Sequence, residues 1–272
     1  MGNLKIIGLM LTWNNLEFFR CAVEQALEFC DELILVEGCH SIRYQKRSDD
    51  GTVTFIQALK TQPKLKVVDF RRGEQYDFVQ RVIRQRYPKT SHYYQPGNWV
   101  FHWDDDLFFF EKDLEKIKNA MEHSKEDALD FNSRYFLYNF RFNCLRRSGI
   151  YCYRIVEGLK FKVLMTAYYA DGRRYSIKRI DDITVFHYGC VKKPERQRAR
   201  WVMSVEKGSK ASVGRFDKWM GISWERDEDI FKSANAIKEL ISGDAVNIYE
   251  GEHPEALASH PWRHIDDVRR VE

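Results

Sequence analysis

The most informative part of the sequence is Gly97-Asn98-Trp99-Val100-Phe101-His102-Trp103-Asp104-Asp105-Asp106-Leu107-Phe108-Phe109-Phe110. Its apolar run ends in three acids and then resumes, which predicts a buried strand that carries carboxylates at its C-terminal end. Side chains alternate along an extended chain, so Asp104 and Asp106 point the same way and one metal ion can be held by both. An acidic triplet is also typical of a solvated loop or a helix N-terminus, and the pattern alone leaves these alternatives open.

The composition describes a chain that can bury a large core. Its 272 residues are 44% apolar and 14% aromatic, which fits one α/β domain or one domain with an appendage. The formal net charge is only +4, from 44 basic and 40 acidic residues. A charge this small gives no strong signal for nucleic acid and favours a small anionic ligand.

Neither a membrane-spanning segment nor a secretory signal is predicted. No apolar run is long enough to cross a bilayer, and the chain begins a strand almost at once, so we expect a cytoplasmic protein. The six cysteines form no C-x-x-C pair. We therefore expect reduced thiols, with neither disulfides nor a zinc site.

Strand and helix patterns alternate along the first 110 residues. Such a βα series predicts a mostly parallel sheet whose C-terminal edge collects Thr12, Glu37, Asp69 and the aspartates. Asn14 or Asn15 is the expected N-cap of the first helix. The predicted strands are 5–11, 33–36, 65–70 and the run before the acids, and the predicted helices are 16–30, 52–59 and 76–86.

The second half of the chain has a different pattern. A helix is expected over 111–123, and the aromatic alternation between 128 and 161 predicts antiparallel strands added to the sheet. A further strand over 180–187 ends at His187, and the chain is helical and basic from Pro194.

The order of these elements resembles a GT-A glycosyltransferase, more narrowly the inverting family 2 type found in bacteria or phages. The resemblance covers about residues 4–205 and implies an α/β, Rossmann-like fold. That fold has a mostly parallel sheet with helices on both faces, antiparallel additions and a helical C-terminal extension. The similar segments are Ile6-Ile7-Gly8-Leu9-Met10-Leu11-Thr12-Trp13-Asn14-Asn15, Asp31-Glu32-Leu33-Ile34-Leu35-Val36-Glu37, Trp99 to Asp106 as a D-x-D motif, Leu145-Arg146-Arg147, Val156-Glu157-Gly158-Leu159 and Val185-Phe186-His187-Tyr188-Gly189.

This resemblance also implies a division of the chain. Residues 1–205 would form the glycosyltransferase domain, with a nucleotide-sugar-binding half over 1–110 and an acceptor-binding half over 111–205. Residues 206–272 would be a helical extension packed on the same domain.

The activity implied by the resemblance is metal-dependent transfer of a sugar, with inversion, from a nucleotide-diphospho-sugar to an acceptor hydroxyl. As the bond to the anomeric carbon breaks, negative charge develops on the β-phosphate, and Mn²⁺ or Mg²⁺ would stabilise it. The resemblance assigns the metal to Asp104, Asp106 and His187. A histidine at a strand end is also commonly a structural hydrogen-bond partner, and that alternative stays open.

Donor contacts are implied for a set of residues near the strand ends. Glu37 stands where the family commonly has aspartate, so the nucleobase is not determined, although a UDP-sugar is favoured. The basic residues after His187 fit a solvated helix face equally well. The implied donor-binding residues are Thr12, Trp13, Glu37, Arg72, Asp104, Asp105, Lys192 and Lys193.

An inverting displacement needs a base that accepts the proton of the acceptor hydroxyl. Glu157 is the candidate, with Asp130 and Asp171 as alternatives, although Val156 stands where bacterial members have a histidine. The acceptor can be a saccharide, a lipid-linked glycan, a peptide or a nucleobase.

Two other functions remain open. A sugar-phosphate nucleotidyltransferase normally opens with a glycine-rich phosphate loop, which Thr12-Trp13-Asn14-Asn15 lacks. A non-catalytic protein that binds sugar nucleotides or carbohydrates is the second alternative.

Overall fold

The structure is a computed structural model that describes residues 4–38, 47–69, 96–146, 149–156, 159–161, 167–169, 171–206, 215–221 and 246–271. The helix predicted at 76–86, together with Arg72 and Glu157, lies outside these residues.

The first half of the chain forms the parallel part of the sheet. Its elements are β1 (Ile6–Thr12), α1 (Leu16–Phe29), β2 (Glu32–Glu37), α2 (Thr52–Leu59), β3 (Leu65–Asp69) and β4 (Trp99–His102). The strands lie in the order β3-β2-β1-β4, and each neighbouring pair is parallel. They therefore end at one common edge. Every residue of β2 is buried, as expected for a strand inside a parallel sheet.

The second half adds mostly antiparallel strands, as predicted. Its elements are β5 (Leu107–Phe108), α3 (Glu111–His123), β6 (Ala128–Leu137), β7 (Phe142–Arg146), β8 (Ile150–Arg154), β9 (Leu159–Phe161), β10 (Ala167–Tyr169), β11 (Ile177–Cys190), α4 (Pro194–Glu206), α5 (Arg215–Gly221) and β12 (Asn247–Ile248). β8 is antiparallel to β4, and β6 is antiparallel to both β7 and β8. The long strand β11 runs parallel to β6 and antiparallel to the short β5.

The predicted α/β class is confirmed, with a central sheet flanked by helices. β9 and β10 form a separate two-stranded sheet, and β12 extends the main sheet next to β7. Within the described ranges, no helix has both the length and the apolar character needed to cross a bilayer.

The described parts of the predicted C-terminal extension are the helix α5 and a tail that follows it. Over residues 246–271 it holds β12 and two 3₁₀ turns, Glu255–Leu257 and Val268–Arg270. Pro254 and Pro261 fix the backbone and remove amide donors, which disfavours a continuous helix. The tail is nevertheless part of the main core, because Leu257, Trp262 and Val268 are buried there.

The start of α1 has the predicted N-cap position, but the capping contact comes from another residue. Asn15 is the N-cap residue, but its side chain makes no capping hydrogen bond. Asp50 replaces it: Oδ2 accepts from the Leu16 amide at 2.9 Å, and Oδ1 accepts from the Thr52 amide at 3.0 Å. One carboxylate thus accepts a hydrogen bond from a backbone amide in the first turn of each helix. The side-chain amide of Asn15 is left for other contacts.

Candidate functional site

The acidic triplet forms a buried turn at the end of β4. The Trp103 amide donates to the Leu9 carbonyl at 2.9 Å, which keeps the chain beside β1. The Leu107 amide donates to the Asp104 carbonyl at 3.1 Å and closes the turn. Asp105 and Asp106 are only 6% and 4% exposed. The triplet is therefore neither a solvated loop nor a helix N-terminus.

Asp105 faces β1. Thr12 Oγ1 donates to Asp105 Oδ2 at 2.8 Å, and Asn15 Nδ2 donates to the Asp105 carbonyl at 3.3 Å. Thr12 and Asp105, both predicted as donor-binding residues, are thus direct neighbours.

Sheet register brings Asp106 to His187. β5 pairs with β11 so that Leu107 lies opposite His187, and the Tyr188 amide donates to the Asp106 carbonyl at 2.9 Å. His187 Nε2 consequently lies 2.9 Å from Asp106 Oδ1. Gly189 leaves the room for this ring, because a Cβ there would lie 2.6 Å from Nε2.

The three residues predicted to bind metal lie together. Asp104, Asp106 and His187 each place one potential ligand atom within 4.8 Å of the others. The His187 ring is buried, with Nε2 facing Asp106 and Nδ1 lacking a hydrogen-bond partner. A buried imidazole beside two carboxylates fits a divalent cation. The described ranges hold no second group of this kind.

The charges of the three groups differ. Burial raises the pKa of Asp104 to about 7, and the negative charges of Asp106 and Asp105 act in the same direction. Burial also opposes ionisation of Asp106, but the positive charge of Lys192 and the contact with His187 outweigh it and hold the pKa of Asp106 well below its usual value. Burial lowers the pKa of His187 despite Asp106. At neutral pH the imidazole is therefore uncharged, and one ring nitrogen keeps a lone pair that can bind a metal ion.

Lys192 is the basic residue that enters the site. It is 2% exposed, and its Nζ lies 2.8 Å from Asp106 Oδ2 and donates to Asn15 Oδ1 at 2.8 Å. Arg200 donates to the Gly189 carbonyl and contributes positive charge near Asp104 and Asp106.

A cavity of about 380 Å³ lies between the start of α1 and the start of α4. Its lining includes Trp13, Asn15, Lys192, Lys193 and Arg196. The Arg196 guanidinium carbon lies 4.8 Å from the centre of the Trp13 ring, a cation–π contact. Because Asn15 and Lys192 also contact the acidic turn, this cavity adjoins the acids. The lining carries both signs of charge, because Glu17, Asp49, Asp50 and Glu195 belong to it as well as the three cations. The part of the cavity that suits a small anionic ligand is the group of Lys192, Lys193 and Arg196.

Glu37 holds a neighbouring segment of the chain. It is fully buried, with Oε1 accepting from the Ser48 amide at 2.7 Å and Oε2 2.9 Å from Arg47 Nε. The carboxylate therefore positions the residues before α2. A nucleobase contact of Glu37 stays a prediction.

The base assignment also stays a prediction. Glu157 lies outside the described residues. Asp130 accepts from the Gly149 amide at 2.7 Å and lies 3.1 Å from Arg179 Nη1, whereas Asp171 accepts from the Arg173 amide at 3.1 Å.

Aromatic residues of β6 and β8 border the site on the other side. The Tyr135 ring centre lies 4.3 Å from that of His187, and Arg146 donates to the Tyr135 hydroxyl at 3.2 Å. The Tyr151 hydroxyl lies 2.8 Å from Ser133 Oγ. Phe136, on the same strand as Tyr135, is part of the hydrophobic core.

Asn15 is the site residue that the sequence analysis missed, because an asparagine before a helix suggests a cap. One signal against that role was available: Phe18 occupies the third helical position, where a capping box has Glu or Gln.

No protein-family model matches the sequence, and no curated protein matches it. Among solved structures, the chain is similar to the crystal structure of residues 1–349 of S. aureus TarS. The two are 12% identical, the match covers 88% of this chain and 80% of that one, and the TM-score is 0.44. A similarity with so low an identity and TM-score shows no family for this chain.

Proposed function

We propose that this protein is a metal-dependent glycosyltransferase that moves a sugar from a nucleotide-diphospho-sugar to an acceptor hydroxyl. The observation that carries the proposal is the convergence of Asp104, Asp106 and His187, whose ligand atoms lie within 4.8 Å of one another. The cavity beside them is lined in part by Lys192, Lys193 and Arg196. Carboxylates and a neutral imidazole suit a divalent ion. Bound there, Mn²⁺ or Mg²⁺ would neutralise charge on a leaving diphosphate.

The residues around the ion have separate tasks in this proposal. Asp106 supplies the permanent negative charge, because Lys192 and His187 keep it ionised. Asp104 completes the ion's charge balance once it loses its proton. Lys192, buried at the boundary between the acids and the cavity, supplies a positive charge for the diphosphate.

In this proposal the cavity holds the nucleotide part of the donor. Trp13 is part of its lining, with the Arg196 guanidinium over the ring, and Lys193 adds a further positive charge. A UDP-sugar is the first donor to test, and GDP-, CDP- and dTDP-sugars are the alternatives. Transfer with inversion, with Glu157 as the base, is part of the same proposal.

The first experiment is a thermal-shift screen of these donors with and without Mn²⁺, because a ligand that binds only the folded protein raises its melting temperature. The preferred donor is then incubated with Mn²⁺, and release of its nucleoside diphosphate is measured with and without candidate acceptors.

Asp106→Asn provides the critical comparison. We expect it to abolish both the Mn²⁺-dependent shift and nucleotide release, while Asp182→Asn, which changes an exposed acid, keeps both. Unchanged release by Asp106→Asn would refute the proposal. Donor binding without any release would instead indicate a non-catalytic sugar-nucleotide-binding protein.

A further inference from the structure

We propose that Lys192 is an internal counter-cation that opposes metal binding at Asp106 until an anionic ligand in the adjoining cavity draws its ammonium away. Metal and donor would then bind cooperatively. This inference deepens the proposed function and rests on it.

The first step is that Lys192 is held at the acids by a built site. Its ammonium lies 2.8 Å from Asp106 Oδ2 and 2.8 Å from Asn15 Oδ1. Asn15 is itself oriented, because its amide nitrogen donates to the Asp105 carbonyl. Lysine is rarely buried without a charged partner, and here the partner is Asp106.

The second step is the use of the two oxygens of Asp106. Oδ1 faces His187 and Oδ2 faces Lys192. A divalent ion bound by Asp104, Asp106 and His187 would therefore share one carboxylate with an ammonium a few ångströms away. Like charges at that distance repel strongly, and burial limits screening by salt. Without an added anion, the lysine lowers the affinity for the ion.

The third step is a second position for the ammonium. Lys192 also lines the 380 Å³ cavity. Its four-carbon stem and three donors allow the ammonium to turn towards a diphosphate there, whose oxygens accept charge-assisted hydrogen bonds. Asp106 Oδ2 is then released and the repulsion is offset. Coupling of this kind is reciprocal, so the ion raises the affinity for the diphosphate equally.

The test measures Mn²⁺ binding directly, from the electron paramagnetic resonance signal of free Mn²⁺, at fixed pH and without nucleotide. Lys192→Met removes the charge and keeps much of the side-chain volume. We expect it to bind Mn²⁺ about tenfold more tightly than the unaltered protein. Lys193→Met, which removes the neighbouring charge in the same cavity, is the matched control, and its effect should be clearly smaller.

A second titration contains UDP, with the Mn²⁺–UDP complex in solution subtracted. UDP should tighten Mn²⁺ binding in the unaltered protein and do so much less in Lys192→Met. Lys192→Gln retains polar contacts without the charge, so it answers the same question should the methionine variant not fold.

Equal or weaker Mn²⁺ binding by the charge-removing variants would overturn the inference and make Lys192 a support for Asp106. If sugar transfer is observed in that case, the proposed function survives. Tighter Mn²⁺ binding without any effect of UDP would confirm the competition and overturn the coupling to the donor.

Discussion

Thr12 and Asp105 are joined by a 2.8 Å hydrogen bond from Oγ1 to Oδ2, between the ends of two neighbouring parallel strands. This bond turns the middle acid of the triplet towards β1. Asp104 and Asp106 are left to face His187. The three consecutive acids therefore have different roles, and the roles follow from which strand each side chain faces.

Replacing Thr12 with valine tests the contribution of this bond. Thr12→Val keeps the shape of the side chain but leaves a buried carboxylate oxygen without its donor. We expect the free energy of unfolding to fall by about 1–3 kcal/mol in urea denaturation. Thr54→Val, at an exposed position of α2, should change it by less than about 0.5 kcal/mol. Equal effects at the two positions would contradict the role given to this bond.

The raised pKa of Asp104 predicts a pH dependence of metal binding. Because burial and its acidic neighbours raise that pKa to about 7, binding an ion below pH 7 must displace a proton. We expect Mn²⁺ affinity to rise about tenfold per pH unit up to about pH 7 and then level off. Isothermal titration calorimetry at several pH values measures this. Asp104→Asn should bind Mn²⁺ more weakly and lose the pH dependence. A wild-type affinity that is constant from pH 5.5 to 7.5 would contradict a role of the Asp104 proton in metal binding.

The same group affects the stability of the ion-free protein. The folded state holds this proton up to about pH 7, whereas an unfolded aspartate releases it near its ordinary pKa of 3.8. The unfolded state therefore binds fewer protons in this window, and the Asp104 contribution to stability is lost as the pH rises from 3.8 to about 7. The unfolding free energy of the wild type should therefore fall relative to that of Asp104→Asn as the pH rises across that range.

Local patterns of the sequence were sufficient for the main elements. The predicted helix over 52–59 and the predicted helix over 111–123 match α2 and α3 in both bounds. Apolar periodicity determines such elements because burial of one face dominates their stability. The turn after β4 was predicted for the same reason, since three acids cannot continue a buried strand.

The contacts between distant residues could not be predicted in this way. Asn15 lies 177 positions from Lys192, and Asp50 caps α1 from another loop. Both are tertiary contacts without a local periodic signal. The contacts of the tail could not be predicted either, because its buried residues meet the core singly and without helical spacing.

Glu37 provides a test that separates a structural role from a nucleobase contact. Because its carboxylate holds Ser48 and Arg47, Glu37→Gln should lower the free energy of unfolding by about 1–3 kcal/mol. Glu24→Gln, on the exposed face of α1, is the control and should be nearly neutral. Unchanged stability together with altered donor preference would assign Glu37 to the ligand alone.

Gly189 is predicted to be the position at which a single methyl group disrupts the site. A Cβ there would lie 2.6 Å from His187 Nε2 and still closer to Arg200 Nη1, both shorter than real Cβ contacts. The imidazole and the guanidinium must therefore both shift, and the imidazole moves relative to Asp106. We expect Gly189→Ala to lower Mn²⁺ affinity at least tenfold, because one of three ligands is displaced. Gly221→Ala is the matched control, since nothing lies within 4 Å of its added Cβ. Mn²⁺ titration of both variants measures the difference, and wild-type affinity in a folded Gly189→Ala protein would show that His187 does not bind the ion.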